Sequence, residues 1–180
     1  MKKKKEIKPR TVEIPENVKV ELDGSVFKVK GEKGELTREL HYPGVKAELG
    51  DSKVTFSTDL KTKQARSIVG TFSTHFANMI KGVTDGFTYK LKMVYSHFPI
   101  TVKQNGDILE IQNFLGEKAP RKAKILGDSK VKIQKEEVEV EGIDKEDVAQ
   151  TAANIETATR VKGRDIRIFQ DGIYITSKGK

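Results

Sequence analysis

The chain has 180 residues, with 34 Lys and Arg against 26 Asp and Glu, a formal net charge of +8, and 36% hydrophobic residues. That much apolar material supports a packed core, in one medium domain or two small ones, and excludes general disorder. The absence of cysteine excludes disulfides, thiolate metal sites and cysteine nucleophiles, and no stretch approaches the ~20 apolar residues of a membrane span, so a soluble chain in the cytoplasm is expected.

In chain order, residues 1–10 carry six basic groups and one acid, with no apolar segment behind them as a signal peptide requires. They read as a basic N-terminal arm. Val18–Leu22 and Val26–Lys30 alternate apolar and polar residues around Asp23-Gly24, which predicts a hairpin. Gly31-Glu32-Lys33-Gly34 lacks the spacing of a phosphate loop and reads as a tight turn. Val54 and Phe56 suggest a further strand. Ala65, Ile68, Val69, Phe72, Phe76, Met79 and Ile80 recur at three- and four-residue spacing, which predicts a helix with Gly82 as its stop. Lys61, Lys63 and Arg66 stand at its start, where the helix dipole disfavours cations, and read as solvated. Phe87, Tyr89, Leu91 and Met93 then alternate as a strand.

The plan repeats. Leu109 and Ile111 alternate with Ile108, Glu110 and Gln112 beside the turn Asn105-Gly106. Val138 and Val140 alternate with Glu137, Glu139 and Glu141, a strand whose acidic face reads as solvent-facing rather than as a metal cluster. Asp144 with Asp147 predicts a helix N-cap and an acidic first turn, and Val148, Ala152, Ile155 and Thr159 form the helical stripe. Ile166 and Ile168, then Ile173 and Ile175, flank Asp171-Gly172 as a last hairpin. The hexapeptide LGDSKV occurs at Leu49–Val54 and again at Leu126–Val131, and each helical stretch is read as ending at Lys-Gly, Lys81-Gly82 and Lys162-Gly163. Two tandem copies of one unit follow, joined near Tyr95–Pro99: residues 11–95, and residues 96–180 with a basic C-terminal tail. The fold class is α+β, each copy a small antiparallel β-sheet packed with one α-helix.

The charges are blocked. Residues 118–135 carry seven cations against Asp128 alone, residues 136–147 reverse the sign, and the stretch from Arg160 has six cations against two acids. Basic blocks of this kind suit a polyanion, whose phosphates release counterions on binding. Catalytic chemistry is not legible. His41, His75 and His97 form no metal motif, His75 reads as a helix residue and His41 and His97 as loop residues, and there is no Ser/His/Asp arrangement. A non-enzymatic chain without cofactor or metal is expected.

The stretches Val12–Val18, Asn78–Phe87, His97–Ile100, Asn113–Lys118 and Asp165–Gly179, above all the R-x-F-x-D-G-I-Y-I pattern from Arg167 to Ile175, resemble the L-six family of large-subunit ribosomal proteins in its archaeal and eukaryotic form. The resemblance implies two tandem copies of one α+β fold, in agreement with the repeat. It implies a structural constituent of the large ribosomal subunit that binds large-subunit rRNA near the sarcin–ricin loop and the base of the lateral stalk. Its implied neighbours there are other large-subunit proteins, with translation GTPases in transient proximity and no membrane. It also implies that rRNA contacts come mainly from the second domain and the C-terminal tail. The lysine-rich start is not a family hallmark.

The expected docking surface is made by residues 113–124 and 160–180. Asn113, Lys118, Arg121, Lys122 and Lys124 contribute from the first stretch, and Arg160, Lys162, Arg164 and Arg167 meet phosphates from the loop after the second helix. Tyr174, Thr176 and Ser177 are expected to bond ribose hydroxyls or phosphates, with Lys178 and Lys180 extending the contact. The first domain is expected to contribute less RNA contact. The competing reading is a stand-alone, non-ribosomal nucleic-acid-binding module.

Overall fold

The computed structural model describes residues 9–50 and 52–179; the basic arm up to Lys8, Asp51 of the first LGDSKV and Lys180 lie outside the described residues. The chain divides into two compact units, residues 1–85 and 86–180.

The first unit contains β1 (Arg10–Glu13), β2 (Lys19–Asp23), β3 (Val26–Gly31), β4 (Gly34–Glu39), β5 (Val45–Leu49), β6 (Lys53–Thr58) and α1 (Lys63–Thr84). Its strands form two antiparallel three-stranded sheets, ordered β1-β6-β5 and β2-β3-β4. The predicted hairpin is present, with Gly24 at φ +61° where a Cβ would be strained. Thr62 caps α1 by accepting a hydrogen bond from the Ala65 N–H at 3.1 Å. The apolar stripe of α1 covers the sheets: Phe76 sits 5.4 Å from Phe27 and 6.0 Å from Phe56, ring centre to ring centre, and all three are fully buried. Gly82 does not stop the helix. Its small size lets it be buried inside the last turn, and the chain turns instead at Asp85 and at Gly86, which has φ +72°.

The second unit contains β7 (Phe87–Val94), β8 (Thr101–Asn105), β9 (Ile108–Gln112), a 3₁₀ turn (Phe114–Gly116), β10 (Arg121–Lys124), β11 (Lys130–Gln134), β12 (Glu137–Gly142), α2 (Lys145–Ala158) and β13 (Gly172–Ser177). The sheets are β10-β9-β8 and β11-β12-β7-β13, again antiparallel. Asp144 caps α2 as predicted, accepting from the Glu146 N–H at 2.8 Å. Leu91, Leu109, Ile111, Val138, Val140, Val148, Ala152, Ile155 and Ile173 form the core under α2. The glutamates of β12 are not merely solvated: Lys90 pairs with Glu139 at 2.8 Å and Lys132 with Glu141 at 2.7 Å, across neighbouring strands.

The two units share one element order, β1 to α1 matching β7 to α2, with β13 added to the second. Four sequence expectations change here. The strand Phe87–Val94 pairs with β12 and β13, so it opens the second unit and the division falls at 85/86 rather than near Tyr95. The two LGDSKV segments are not equivalent: one joins β5 to β6, the other joins β10 to β11. The second helix ends at Ala158, before Lys162-Gly163, because Thr159 takes up its last carbonyls through N–H and hydroxyl. The stretch around Ile166 and Ile168 is a turn, not a strand, so the last hairpin does not form, while the strand expected at Ile173 and Ile175 is present as β13.

A Cβ at Gly31 would lie 2.7 Å from both Cγ2 and the carbonyl oxygen of Val83. Gly31→Ala is expected to cost about 1–3 kcal/mol, by overpacking a site with backbone on one side. The check is a lower urea midpoint at unchanged slope for unfolding of the first unit.

Candidate nucleic-acid interface

Two stretches of the predicted surface, the loop before β10 and the segment after α2, meet at the C-terminal end of α2, and Arg121 joins them. Its Nε and Nη2 donate to the two carboxylate oxygens of Glu117, at 2.8 and 2.6 Å. Its Nη1 donates to the carbonyls of Ala158 and Arg160, both at 2.9 Å. The guanidinium also lies over the Phe114 ring, 4.3 Å from its centre. One side chain therefore ties the loop before β10 to the end of α2 and to the start of the segment 160–171. Hydrogen bonding from Arg121 holds the Glu117 carboxyl below the usual carboxylate range, and the charge of Arg164 adds to the effect. These four bonds take up most of the donor capacity of Arg121, the residue expected to meet a phosphate, within the fold.

The loop ahead of it is tightly wound. Asn113 has φ +59° and Leu115 φ +50°, both in the left-handed region, and Gly116 follows at φ +78° with its open side against the Phe98 ring. A left-handed leucine is unusual. Here its side chain is buried next to Phe114, which holds it there. Asn113 itself donates its amide to the Pro99 carbonyl at 3.1 Å.

A second junction closes the far end of the segment 160–171. Asp171 is only 1% exposed and accepts from the N–H and hydroxyl of Ser96 and from the N–H and Nδ1 of His97, at 3.0–3.3 Å. Burial, the largest single influence, pushes its carboxyl upward, but the hydrogen bonds from His97 and Ser96 together outweigh it and hold it below the ordinary range. His97 stacks on Phe169 at 4.8 Å, and the Arg164 guanidinium lies 4.8 Å from the same ring. Asp171 and His97 had read as turn and loop residues. An Asp-Gly pair signals a turn whether or not its carboxylate is buried, so no local pattern marked them.

The remaining predicted residues divide into three groups. Lys118, Arg160, Lys162 and Arg167 are exposed in the loops, and among the described residues their side chains make no hydrogen bond or ion pair. Lys122 and Lys124 are exposed too, and likewise unpaired, but they alternate with Arg121 and Ala123 and so project from the opposite face of β10, with Glu110 directly across from Lys122. Tyr174, Thr176, Ser177 and Lys178 lie on or just after β13. The Tyr174 hydroxyl donates to the Gln170 carbonyl at 3.0 Å and the Thr176 hydroxyl to the Lys90 carbonyl at 3.1 Å, so those two donors are engaged within the chain. Among the described residues no group of three or more His, Asp or Glu could hold a metal ion, and no helix is long and apolar enough to cross a membrane.

Comparison with known proteins is consistent across the chain. A family model described as ribosomal protein L6 matches twice, over residues 14–86 and 98–172. The chain is 53% identical over 171 residues to the large ribosomal subunit protein uL6 of Methanospirillum hungatei, covering 95% of this chain and 97% of that one. It is 53% identical over 169 residues to the protein of the same name from Methanosarcina mazei, and 52% over 169 residues to that of Methanothrix thermoacetophila, covering in both cases 94% of this chain and 96% of the other.

Arg121→Lys keeps the charge but cannot reproduce the fork. It is expected to cost about 1.5–3 kcal/mol, the worth of charge-assisted hydrogen bonds, seen as a lower melting temperature. For Asp171 the folded value lies below the unfolded one, so the unfolded chain takes up the proton first. The stabilisation is present above about pH 4 and is lost as pH falls through the depressed folded value. Asp171→Asn is expected to weaken the chain at neutral pH and flatten the acid limb of unfolding, followed by circular dichroism.

Proposed function

The chain belongs to the ribosomal protein L6 family, and from that membership we propose that its second unit docks on large-subunit rRNA through the loops around the end of α2. The chain is a structural constituent of the large ribosomal subunit in the cytoplasm, not an enzyme, with rRNA and other ribosomal proteins as its partners. The finer reading is a position near the sarcin–ricin loop and the base of the stalk, beside other large-subunit proteins and within reach of translation GTPases. Its support is family membership across both repeats.

The observation that carries the docking surface is a group of exposed cations close together in the second unit whose side chains make no hydrogen bond or ion pair among the described residues: Lys118, Arg160, Lys162 and Arg167 on the loops, and Lys122 and Lys124 on β10. A folded domain can neutralise surface cations with its own acids, as this one does at Lys90 and Lys132. Four left unpaired on the loops, with Lys122 and Lys124 on the other face of β10 as a separate flank, fit phosphates as the counter-charge. Arg121 has no part in the phosphate contact proposed here, since its donors hold the loops together. Ser177 and Lys178 extend the surface at the end of β13, while Asn113, Tyr174 and Thr176 shape it through their internal hydrogen bonds; Lys180, also expected in the contact, lies outside the described residues.

Sedimentation of cell extract at moderate and high salt tests the assignment. The chain is expected with large subunits and full ribosomes, surviving the salt wash; a peak at the top of the gradient, or one stripped by mild salt, would favour a free nucleic-acid-binding module. Neutralising Lys122 and Lys124 together (Lys122→Gln, Lys124→Gln) is expected to leave thermal stability within about 0.5 kcal/mol of the parent. It should also weaken rRNA binding and make its dependence on log salt shallower by about one to two units. An unchanged slope would remove the β10 face from the interface.

A further inference from the structure

We propose that Ile166 and Ile168 form an apolar wedge that inserts against bases or riboses of the rRNA while the cations around them hold its phosphates; this rests on the rRNA-docking reading above. The two isoleucines are the most exposed large hydrophobic residues described, at 70% and 64%. A single exposed isoleucine needs no explanation. This pair is different because the backbone that displays it is fixed. Asp165 organises the turn three ways: its carbonyl accepts from the N–H groups of Ile168 at 3.1 Å and Phe169 at 2.9 Å, and its carboxylate accepts from the Arg167 N–H at 2.9 Å. The turn is anchored behind by Phe169, which lies under both His97 and Arg164.

The charge around the tip selects the occupant. Between Arg160 and Gln170 stand four cations, Arg160, Lys162, Arg164 and Arg167, against Asp165 as the only acid, and that carboxylate is turned onto its own backbone. A surface that covers the isoleucines must therefore be strongly anionic and also offer flat apolar faces within a few ångströms of the anions. RNA does both, since phosphates border base and ribose faces, and apolar wedges against base steps are an established mode of nucleic-acid binding. The wedge contributes apolar contact that salt does not screen, and the cations contribute the part that salt does.

The test is the double variant Ile166→Ser, Ile168→Ser in the full chain, titrated with protein-free large-subunit rRNA over a salt series. The expected result is about a ten-fold loss of affinity at every salt concentration, with the slope against log salt unchanged. Arg164→Gln with Arg167→Gln should do the opposite and flatten the slope. Both variants should melt like the parent except for the lost Arg164–Phe169 contact. Parent-like rRNA affinity for the isoleucine variant would sink the wedge. So would parent-like rRNA affinity with a defect seen only when other ribosomal proteins are present, because a protein neighbour would then be the cover. A parent chain that shows no salt-dependent rRNA binding would overturn the docking reading itself, and the wedge with it.

Discussion

A helix leaves its last carbonyls without intrahelical partners, and something must supply donors to them. In both units one such donor comes from the same place, at or just after the connection between the second and third strands of a three-stranded sheet, β2-β3-β4 in the first and β8-β9-β10 in the second. In the first unit it is Lys33, whose N–H donates to the Val83 carbonyl at 3.0 Å and whose ammonium donates to the Asp85 carbonyl. In the second it is Arg121, whose guanidinium donates to the carbonyls of Ala158 and Arg160. The placement is doubly favourable, because a cation at a helix C-terminus also meets the negative end of the helix dipole. The contact fixes where the helix ends relative to its sheet, and so fixes the direction in which the chain leaves it.

The two units meet this constraint with different amounts of chain. In the first, the connection between Gly31 and Gly34 is a two-residue turn, and one lysine reaches the helix end directly. In the second, residues 113–120 intervene between β9 and β10. A longer loop has more conformations to lose, and more donors are needed to hold it. Arginine supplies them: one planar fork grips Glu117, the helix end and the chain beyond it, and stacks on Phe114. The extra loop carries Lys118 and lies beside the outgoing segment with Arg160 and Lys162. The basic surface of the second unit is thus built on an elaboration of a junction that the first unit keeps minimal.

The larger outline was legible in the sequence because it rests on periodicity. Phe27 and Val29, Val138 and Val140, and the stripe from Ala65 to Ile80 each mark a buried face by spacing alone. What was not legible depends on contacts between distant residues. Phe87–Val94 reads as a strand, but nothing in it says that its partners are β12 and β13 rather than the strands before it. LGDSKV shows the same limit from the other side. Two identical hexapeptides sit in different connections, so the repeat is real while the segment that suggested it is not part of it. Arg121 read as one more cation in a basic block, since composition does not distinguish a free guanidinium from one already bound to Glu117 and two carbonyls. Ile166 and Ile168 alternate like a strand, but Asp165 closes a turn over them.

β13, absent from the first unit, completes the arrangement. It pairs with β7 along one side, and on the other its Ile173 and Ile175 N–H groups donate to the Thr159 hydroxyl and the Glu156 carboxylate of the α2 region, so α2 covers an edge that would otherwise be open. The segment 160–171 is then tied at both ends. Arg121 holds the carbonyl of Arg160 at its start, and buried Asp171 holds Ser96 and His97 at its finish. A loop with free ends would lose much of its binding energy to ordering on contact with a rigid RNA. One whose ends and central turn are already hydrogen-bonded loses far less. The structural work therefore falls to Arg121 and Asp171, charged groups whose own bonding is satisfied inside the fold, and the cations left over are displayed on a frame that would not have to reorganise for the phosphate contact proposed above.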